Sequence, residues 1–180
     1  MLTEGAIFLA LAQILSMVPL LRLPNGGAVD LAMVPVLLFA FRWGVGPGLL
    51  EGFLLGLLQI LTEGALAWGW QSILLDFLVA FTPLGLAGLF RNRGLKGVIV
   101  GIIVACFCRF LVHYISGVTI YAILMPTELF GITWMNKWTY SLAYNGSFML
   151  INMIFTLLVF VLLYKPLGKY IRAEDLKKAA

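Results

Sequence analysis

The chain has 180 residues, of which 62% are hydrophobic and 11% are charged, and its formal net charge is +4. Soluble domains carry about 25% charged residues, so this composition excludes an ordinary soluble protein and indicates an integral membrane protein surrounded by lipid. The length suits one domain spanning residues 1–180. The net charge does not indicate nucleic-acid binding, because the basic residues lie where membrane topology places them.

Six apolar segments follow one another along the chain, and a helix needs about 20 apolar residues to span a bilayer. The first begins near Met1 without a convincing basic region or cleavage site, so we interpret it as a retained helix rather than a signal peptide. The second is the shortest. We predict an all-α bundle of six transmembrane helices at approximately 4–22, 30–43, 46–63, 71–90, 97–119 and 144–164.

The distribution of lysine and arginine predicts the orientation of this bundle. If both termini lie on one side, nine basic residues flank the helices there, against only Arg22 and Lys137 on the other side. Cytoplasmic loops are enriched in basic residues, so we expect both termini to be cytoplasmic. Arg42 and Glu4 are expected to be solvated boundary residues, and Glu51 an interfacial one.

The outer connections are then 23–29, 64–70 and 120–143, and they contain four of the five tryptophans: Trp68, Trp70, Trp134 and Trp138. Tryptophan often anchors a protein at the membrane interface. Long ordered loops are commonly functional, so we interpret the connection 120–143 as an aromatic cap over a pocket.

Ionisable residues inside the apolar segments are the main candidates for a functional site. Asp76 lies in the fourth segment, and Arg109 and His113, the only histidine, lie four residues apart in the fifth. Arg109 and His113 therefore share one helix face. Ionisable groups at this depth usually face the protein interior or a wet cavity. Asp76 needs a cationic partner, which could be Arg109, a cationic ligand or both.

Other polar and aromatic residues lie at a similar depth near the outer ends of the helices. Tyr140, Tyr144 and Asn145 occur where the sixth segment begins, and Gln71 precedes Asp76 in the fourth. We therefore predict a ligand-binding site between three helices.

Small residues recur every four positions on three helices. They are Ala6 and Ala10 on the first, Gly48, Gly52 and Gly56 on the third, and Gly97, Gly101 and Ala105 on the fifth. Such stripes let helices approach closely. Each stripe suits packing within the bundle or the docking of a partner helix.

Motifs for catalysis and for ATP binding are absent from the sequence. It contains no Gly-x-Ser-x-Gly, no metalloprotease His pair and no Gly-x-x-x-x-Gly-Lys. Cys106 and Cys108 are interpreted as small buried hydrophobic residues, not as metal or redox ligands. We expect a protein without enzymatic activity, metal or cofactor.

Five stretches of the chain carry a resemblance to a known family: the Ala6–Ala10 stripe, Leu23 to Gly27, Gln71 to Phe81, Arg109 to Gly117 and Trp138 to Ser147. They resemble the thiamine-specific substrate-binding subunits (S-components, ThiT type) of energy-coupling-factor (ECF) vitamin transporters. The family pattern has Glu-Tyr where this chain has Asp76-Phe77. The resemblance covers nearly the whole chain in size and in helix order.

The resemblance implies a multi-pass protein of the bacterial plasma membrane that captures thiamine from outside. Its partners would be an ECF transmembrane subunit, which Ala6 and Ala10 face, and two cytosolic ATPases. Asp76 would be the acid of the site and His113 a hydrogen-bonding group. Trp134 or Trp138 would stack on a ligand ring, and Tyr140 and Asn145 would bind polar edges.

The residues themselves agree with a cationic, flat ligand such as thiamine, because a buried acid suits the thiazolium and indole faces attract cations. Three alternatives stay open. They are a stand-alone proton-coupled carrier with Asp76 and His113 as proton sites, a small intramembrane enzyme using His113, and the same scaffold binding another vitamin or a thiamine precursor.

Overall fold

The computed structural model describes residues 1–23, 26–63, 67, 69–124, 127–129 and 131–176, without the side chains of 121–124 and 127. The described chain is predominantly helical, which confirms the predicted all-α class. Its elements are α1 Leu2–Met17, β1 Leu21–Arg22, β2 Ala28–Val29, α2 Met33–Trp43, α3 Val45–Glu63, α4 Trp70–Phe90, α5 Gly94–Leu124, β3 Thr127–Leu129, β4 Ile132–Trp134 and α6 Lys137–Ile171.

Four of these helices are long and apolar enough to cross a membrane: α3, α4, α5 and α6. The other two, α1 and α2, are apolar but shorter, with 16 and 11 residues. Gly44 ends α2 with a φ of 92°, a conformation that favours glycine.

The connections at one end of the bundle contain more regular structure than the sequence predicts. Because β1 pairs with β2, with Leu21 opposite Val29, α1 ends at Met17 instead of near residue 22. At the other connection, α5 continues to Leu124 and β3 pairs with β4. The expected connection 120–143 is therefore largely helix and hairpin.

The start of α6 also differs from the expected residue 144. Asn136 caps this helix, since its side-chain oxygen accepts hydrogen bonds from the backbone N–H groups of Trp138 and Thr139. The helix thus extends beyond its apolar core, and Tyr140 lies on α6 together with Tyr144 rather than in the preceding connection.

The helix α4 changes its hydrogen-bonding pattern along its length. It begins with an α-helical turn at Trp70–Ser72, continues as a π-helix at Ile73–Val79 and ends as a 3-10 helix at Thr82–Phe90. The π-helical segment carries Asp76. Short π-helical segments occur frequently at functional sites.

The glycine stripe of α3 packs against the backbone of α4. A Cβ at Gly52 would overlap the carbonyl oxygen of Phe81, and a Cβ at Gly56 would lie 2.5 Å from that of Phe77. A Cβ at Gly48 would lie 2.9 Å from the Cα of Gly85. These glycines therefore bring α3 and α4 into backbone contact, which is the internal packing considered for this stripe.

The stripes of α5 and α1 have opposite environments. Gly101 packs against the ring of Phe41, and Ala105 is fully buried. Ala6 and Ala10 are exposed on α1, whereas Gly5, Ala12 and Ser16 form its buried face. Of the three small-residue stripes, only that of α1 is open to a partner.

An ion-pair cluster joins the two ends of the chain. The guanidinium of Arg42 donates to the carboxylates of Glu4 and Asp175 and to the carbonyl of Tyr170, and Arg42 is only 5% exposed. The start of α1 and the described residues that follow α6 therefore lie at the same end of the bundle. The expectation that Arg42 is a solvated boundary residue is wrong, because three acceptors from α1 and the C-terminal segment enclose it.

Glu51 also differs from expectation. It is 4% exposed instead of interfacial, since α1 covers it through Gly5, whose Cβ position lies 3.3 Å from Oε2 of Glu51.

Candidate ligand-binding site

A cavity opens within the bundle at the end opposite the Arg42 cluster. The open space in and above it, counted together with solvent at the mouth, is about 920 Å³. The described residues that line it come from α1, the β1–β2 hairpin and helices α3 to α6. They are Ser16, Gly26, Gly27, Ala28, Asp30, Gln59, Glu63, Ser72, Asp76, Phe77, Phe81, Arg109, His113, Gly117, Ile120, Tyr140, Tyr144, Asn145 and Phe148.

A hydrogen-bonded triad forms the wall contributed by α4 and α5. Nδ1 of His113 lies 3.0 Å from Oδ1 of Asp76, and the hydroxyl of Ser72 donates to Oδ2 of Asp76 at 2.7 Å. Both carboxylate oxygens are therefore engaged. When Nδ1 donates its hydrogen to Asp76, a neutral imidazole leaves Nε2 as an acceptor. This Nε2 is buried without a hydrogen-bond partner among the described residues.

The wall contributed by α6 presents aromatic faces and an amide. The rings of Tyr140 and Tyr144 are stacked, with centroids 5.7 Å apart and an interplanar angle of 15°. The hydroxyl of Tyr144 accepts a hydrogen bond from the backbone N–H of Gly27 at 2.8 Å. This bond holds the β1–β2 hairpin at the edge of the cavity. Next to Tyr144 in the sequence is Asn145, which is 5% exposed.

Arg109 lies deeper in the cavity, but it does not form an ion pair with Asp76 among the described contacts. Its guanidinium lies over the ring of Phe81, 4.0 Å from the centroid, which is a cation–π arrangement. The structure therefore pairs Asp76 with His113 and Ser72. The pairing of Asp76 with Arg109, which the sequence left open, is not observed among the described contacts.

The cavity also contains acids that sequence reasoning did not place there. Asp30, which accepts a hydrogen bond from the backbone N–H of Ala32, and Glu63, which lies 3.8 Å from Arg22, both line it. With Asp76, three carboxylates and one guanidinium line the described wall. The apolar periodicity gave no signal for Asp30 or Glu63, because Asp30 precedes α2 and Glu63 is the last residue of α3.

Three of the predicted site residues are not among the described residues that line the cavity. The indole N–H of Trp134 donates to the carbonyl of Leu129 at 3.2 Å, so it stabilises the β3–β4 hairpin. Trp138 is 50% exposed and lies against Tyr114. Gln71 is half-buried.

Trp68 lies outside the described residues, so its place in the expected cap is not described. Five predicted residues do meet at the cavity: Asp76, His113, Tyr140, Tyr144 and Asn145.

A polar cavity enclosed by a bundle of apolar helices defines a multi-pass membrane protein with a site for a small polar molecule. The family model for the thiamine transporter protein family (Thia_YuaJ) matches residues 2–171. The chain belongs to this family, which confirms the resemblance seen in the sequence.

Known relatives agree in length and in fold. The chain is 33% identical to the thiamine transporter ThiT of Bacillus subtilis (strain 168), over 96% of this chain and 94% of that protein. It is 28% identical to ThiT of Lacticaseibacillus paracasei, over 96% of this chain and 90% of that protein.

Two solved structures are also similar. ThiT from Listeria monocytogenes superimposes with a TM-score of 0.81 at 25% identity, covering 94% of this chain and 95% of that one. An S component of a bacterial ECF transporter superimposes with a TM-score of 0.64 at 22% identity, covering 95% and 96%. This second similarity concerns the fold.

Proposed function

We propose that the chain binds thiamine and acts as the substrate-binding membrane subunit of an ECF importer in a bacterial cell membrane. The ligand enters at the end of the bundle opposite the termini, which the distribution of basic residues assigns to the outside. A transmembrane partner subunit and two cytosolic ATPases supply the energy for import, since this sequence contains no phosphate-binding Gly-x-x-x-x-Gly-Lys motif.

The charge of the cavity wall is the observation that carries this proposal. Asp30, Glu63 and Asp76 outnumber Arg109 among the described lining residues. A cationic ligand gains from an excess of carboxylates, and burial strengthens the attraction. Thiamine has a permanently cationic thiazolium ring, whereas anionic vitamins such as riboflavin phosphate would be repelled.

The hydrogen-bonding groups and ring faces of the wall suit the rest of the molecule. Nε2 of His113 and the side-chain amide of Asn145 are available for the edge of the aminopyrimidine. The stacked rings of Tyr140 and Tyr144 offer flat aromatic surface. We assign Trp134 or Trp138 to the closure of the site over the bound ligand.

The exposed stripe on α1 suits the partner subunit. Ala6 and Ala10 are exposed on the face opposite Gly5 and Ala12. Small residues let a partner helix approach closely in the membrane.

Binding of thiamine to the purified chain tests the proposal. We expect thiamine to quench the tryptophan fluorescence of the chain in detergent, in a saturable manner, and riboflavin phosphate to leave it unchanged. Absence of thiamine binding to a folded chain would contradict the proposal.

A proton-coupled carrier is the second candidate, because the carboxylate of Asp76 contacts the buried imidazole of His113 at the cavity wall. Vesicles that contain the chain without ATPases distinguish the two functions. Thiamine uptake driven by a proton gradient in such vesicles would favour the carrier, and its absence favours the subunit.

A further inference from the structure

Ser141 is a buried hydroxyl on α6 that does not line the cavity among the described residues, yet it lies beside a residue that does. It is 0% exposed, and its Oγ is 3.0 Å from Nδ2 of Asn145 and 2.6 Å from the carbonyl oxygen of Tyr114 on α5. It therefore connects the backbone of α5 with an amide at the cavity wall.

The direction of these two hydrogen bonds follows from the chemistry of the groups. A backbone carbonyl can only accept a hydrogen bond, and a serine hydroxyl has a single hydrogen. The carbonyl of Tyr114 therefore takes the hydrogen of Ser141. Oγ of Ser141 is left with lone pairs only, so the group of Asn145 that faces it must be the NH₂ donor.

A reversed amide would be unfavourable at this position. It would place Oδ1 of Asn145 against Oγ of Ser141, whose hydrogen is already committed, so two buried acceptors would face each other without a hydrogen between them. Gly117 provides the space for this arrangement, since a Cβ there would overlap Oγ of Ser141 and would lie 2.6 Å from Nδ2 of Asn145.

We propose that Ser141 is a specificity-determining positioning residue, which fixes the amide of Asn145 so that its carbonyl oxygen serves the ligand as an acceptor. This proposal rests on the function proposed above, because it assigns Oδ1 of Asn145 to an amino group of the ligand. Hydrogen bonding between Nδ2 and Ser141 uses the donor side of the amide. Asn145 lines the cavity, and no described residue donates to its Oδ1.

A site that presents acceptors selects a ligand that presents donors. Nε2 of His113 and Oδ1 of Asn145 both suit an exocyclic amine such as that of the aminopyrimidine of thiamine. An analogue with a carbonyl in place of this amine presents an acceptor and is rejected, because acceptor would face acceptor. A polar mismatch of this type discriminates between ligands more strongly than a change of shape.

The test compares thiamine with its 4-oxo analogue, in which a carbonyl replaces the amine of the pyrimidine, in wild-type chain and in Ser141→Ala. Dissociation constants for both ligands are measured by titration of the purified chain in detergent. The measured quantity is the dissociation constant of the 4-oxo analogue divided by that of thiamine. We expect this ratio to fall about tenfold or more in Ser141→Ala, because the amide of Asn145 is then free to reverse and to donate to the carbonyl of the analogue. Ser147→Ala is the matched control, since the hydroxyl of Ser147 bonds to the carbonyl of Tyr144 within α6 and does not line the cavity.

The same substitution in an Asn145→Asp variant separates the orientation of the amide from the packing of Ser141. In Asn145→Asp both side-chain oxygens are acceptors, so a reversed side chain presents the same groups to the ligand. Adding Ser141→Ala to this variant should therefore leave the ratio unchanged. If Ser141→Ala does not fold, Ser141→Cys replaces it, because a thiol is a weaker donor and acceptor and should lower the ratio by a smaller factor.

The outcomes distinguish this inference from the function on which it rests. An equal loss of affinity for both ligands in Ser141→Ala, or a wild-type chain that binds both ligands alike, would overturn the role of Ser141. A wild-type chain that does not bind thiamine would instead overturn the proposed function.

Discussion

Nδ1 of His113 lies 3.0 Å from Oδ1 of Asp76, and this contact joins α5 to the π-helical segment of α4 at the wall of the cavity. Ser72 completes the arrangement from one turn away on α4. Two donors thus hold the carboxylate of Asp76 in the cavity wall, and they fix its position before a ligand binds.

Asp76→Asn should weaken thiamine binding by ~1.5–3 kcal/mol, the range of one charge-assisted contact. This corresponds to a loss of affinity of roughly tenfold to 150-fold. Glu51→Gln is the matched control, because Glu51 is a buried acid that is not among the described residues lining the cavity. Isothermal titration of the purified variants measures both effects. Unchanged affinity in a folded Asp76→Asn variant would remove this residue from the site.

The aromatic residues of the outer connections should not be equivalent. Trp134 is half-buried, packs against the core and is bonded to Leu129, whereas Trp138 is half-exposed against Tyr114. We expect Trp134→Ala to cost ~1–3 kcal/mol of binding, as the loss of an aromatic side chain that closes over the ligand would. Trp138→Ala should change affinity by less than about threefold, as a membrane-interface anchor would. A titration in which neither variant differs from wild type would exclude both residues from closure of the site.

The sequence predicted residues of the cavity wall best where a residue type is rare in its surroundings. Asp76 and His113 are ionisable residues in apolar helices, so their position beside a polar partner followed from the cost of leaving them in lipid. The same reasoning did not identify Ser72 or Ser141. Serine is common in membrane helices, and the roles of these two depend on which groups lie across the helix interface.

The boundary residues were predicted less well than the helix interiors. Arg42 and Glu51 lie near helix ends, where hydropathy assigns charged residues to water, but neighbouring elements bury both. The start of α6 was placed too late because its first turns are polar and aromatic. The cap at Asn136 and the packing of Tyr140 and Tyr144 extend the helix there. These errors share one cause, since hydropathy measures the preference for lipid and does not report contacts between elements.

The backbone contact between α3 and α4 should affect both the stability of the fold and the binding of thiamine. A Cβ at Gly52 would overlap the carbonyl of Phe81, so Gly52→Ala forces α4 away from α3. We expect a loss of ~1–3 kcal/mol of stability, the typical cost of overpacking, and weaker thiamine binding because α4 carries Asp76. Gly46→Ala is the control on the same helix, since nothing lies within 4 Å of its Cβ position. Thermal unfolding of both variants measures stability, and titration measures affinity for thiamine. Equal stability and affinity in Gly52→Ala and Gly46→Ala would show that α4 accommodates the added methyl group.

The Arg42 ion-pair cluster, at the end of the bundle opposite the cavity, should stabilise the fold less in acid. A hydrogen bond from Arg42 lowers the pKa of the Asp175 carboxyl below its ordinary value of 3.8. A lowered pKa means that the contact stabilises the folded state above the unfolded pKa, and this contribution is lost as the pH falls through the folded pKa. Asp175→Asn should therefore lower the unfolding temperature by about 1–4 °C at pH 6, as a partly exposed ion pair would. At pH 3 and below, the difference from wild type should shrink. A difference that persists unchanged in acid would mean that the charge of Asp175 is not its cause.

Replacement of Ala6 and Ala10 by tryptophan should separate ligand binding from transport. Both alanines are exposed on α1, and they lie toward the end of the bundle that carries Glu4 and the Arg42 cluster, away from the cavity. Bulky side chains on this stripe would prevent close approach of a partner helix, whereas the cavity wall would be unchanged. We expect the double variant Ala6→Trp/Ala10→Trp to bind thiamine with wild-type affinity as a purified chain and to fail in thiamine uptake by cells. Replacement of Ile7 and Leu11 by tryptophan is the matched control, because both are exposed on α1 but are already large. Normal uptake by the Ala6→Trp/Ala10→Trp variant would exclude this stripe as the docking surface, and loss of thiamine binding would show that α1 also shapes the cavity.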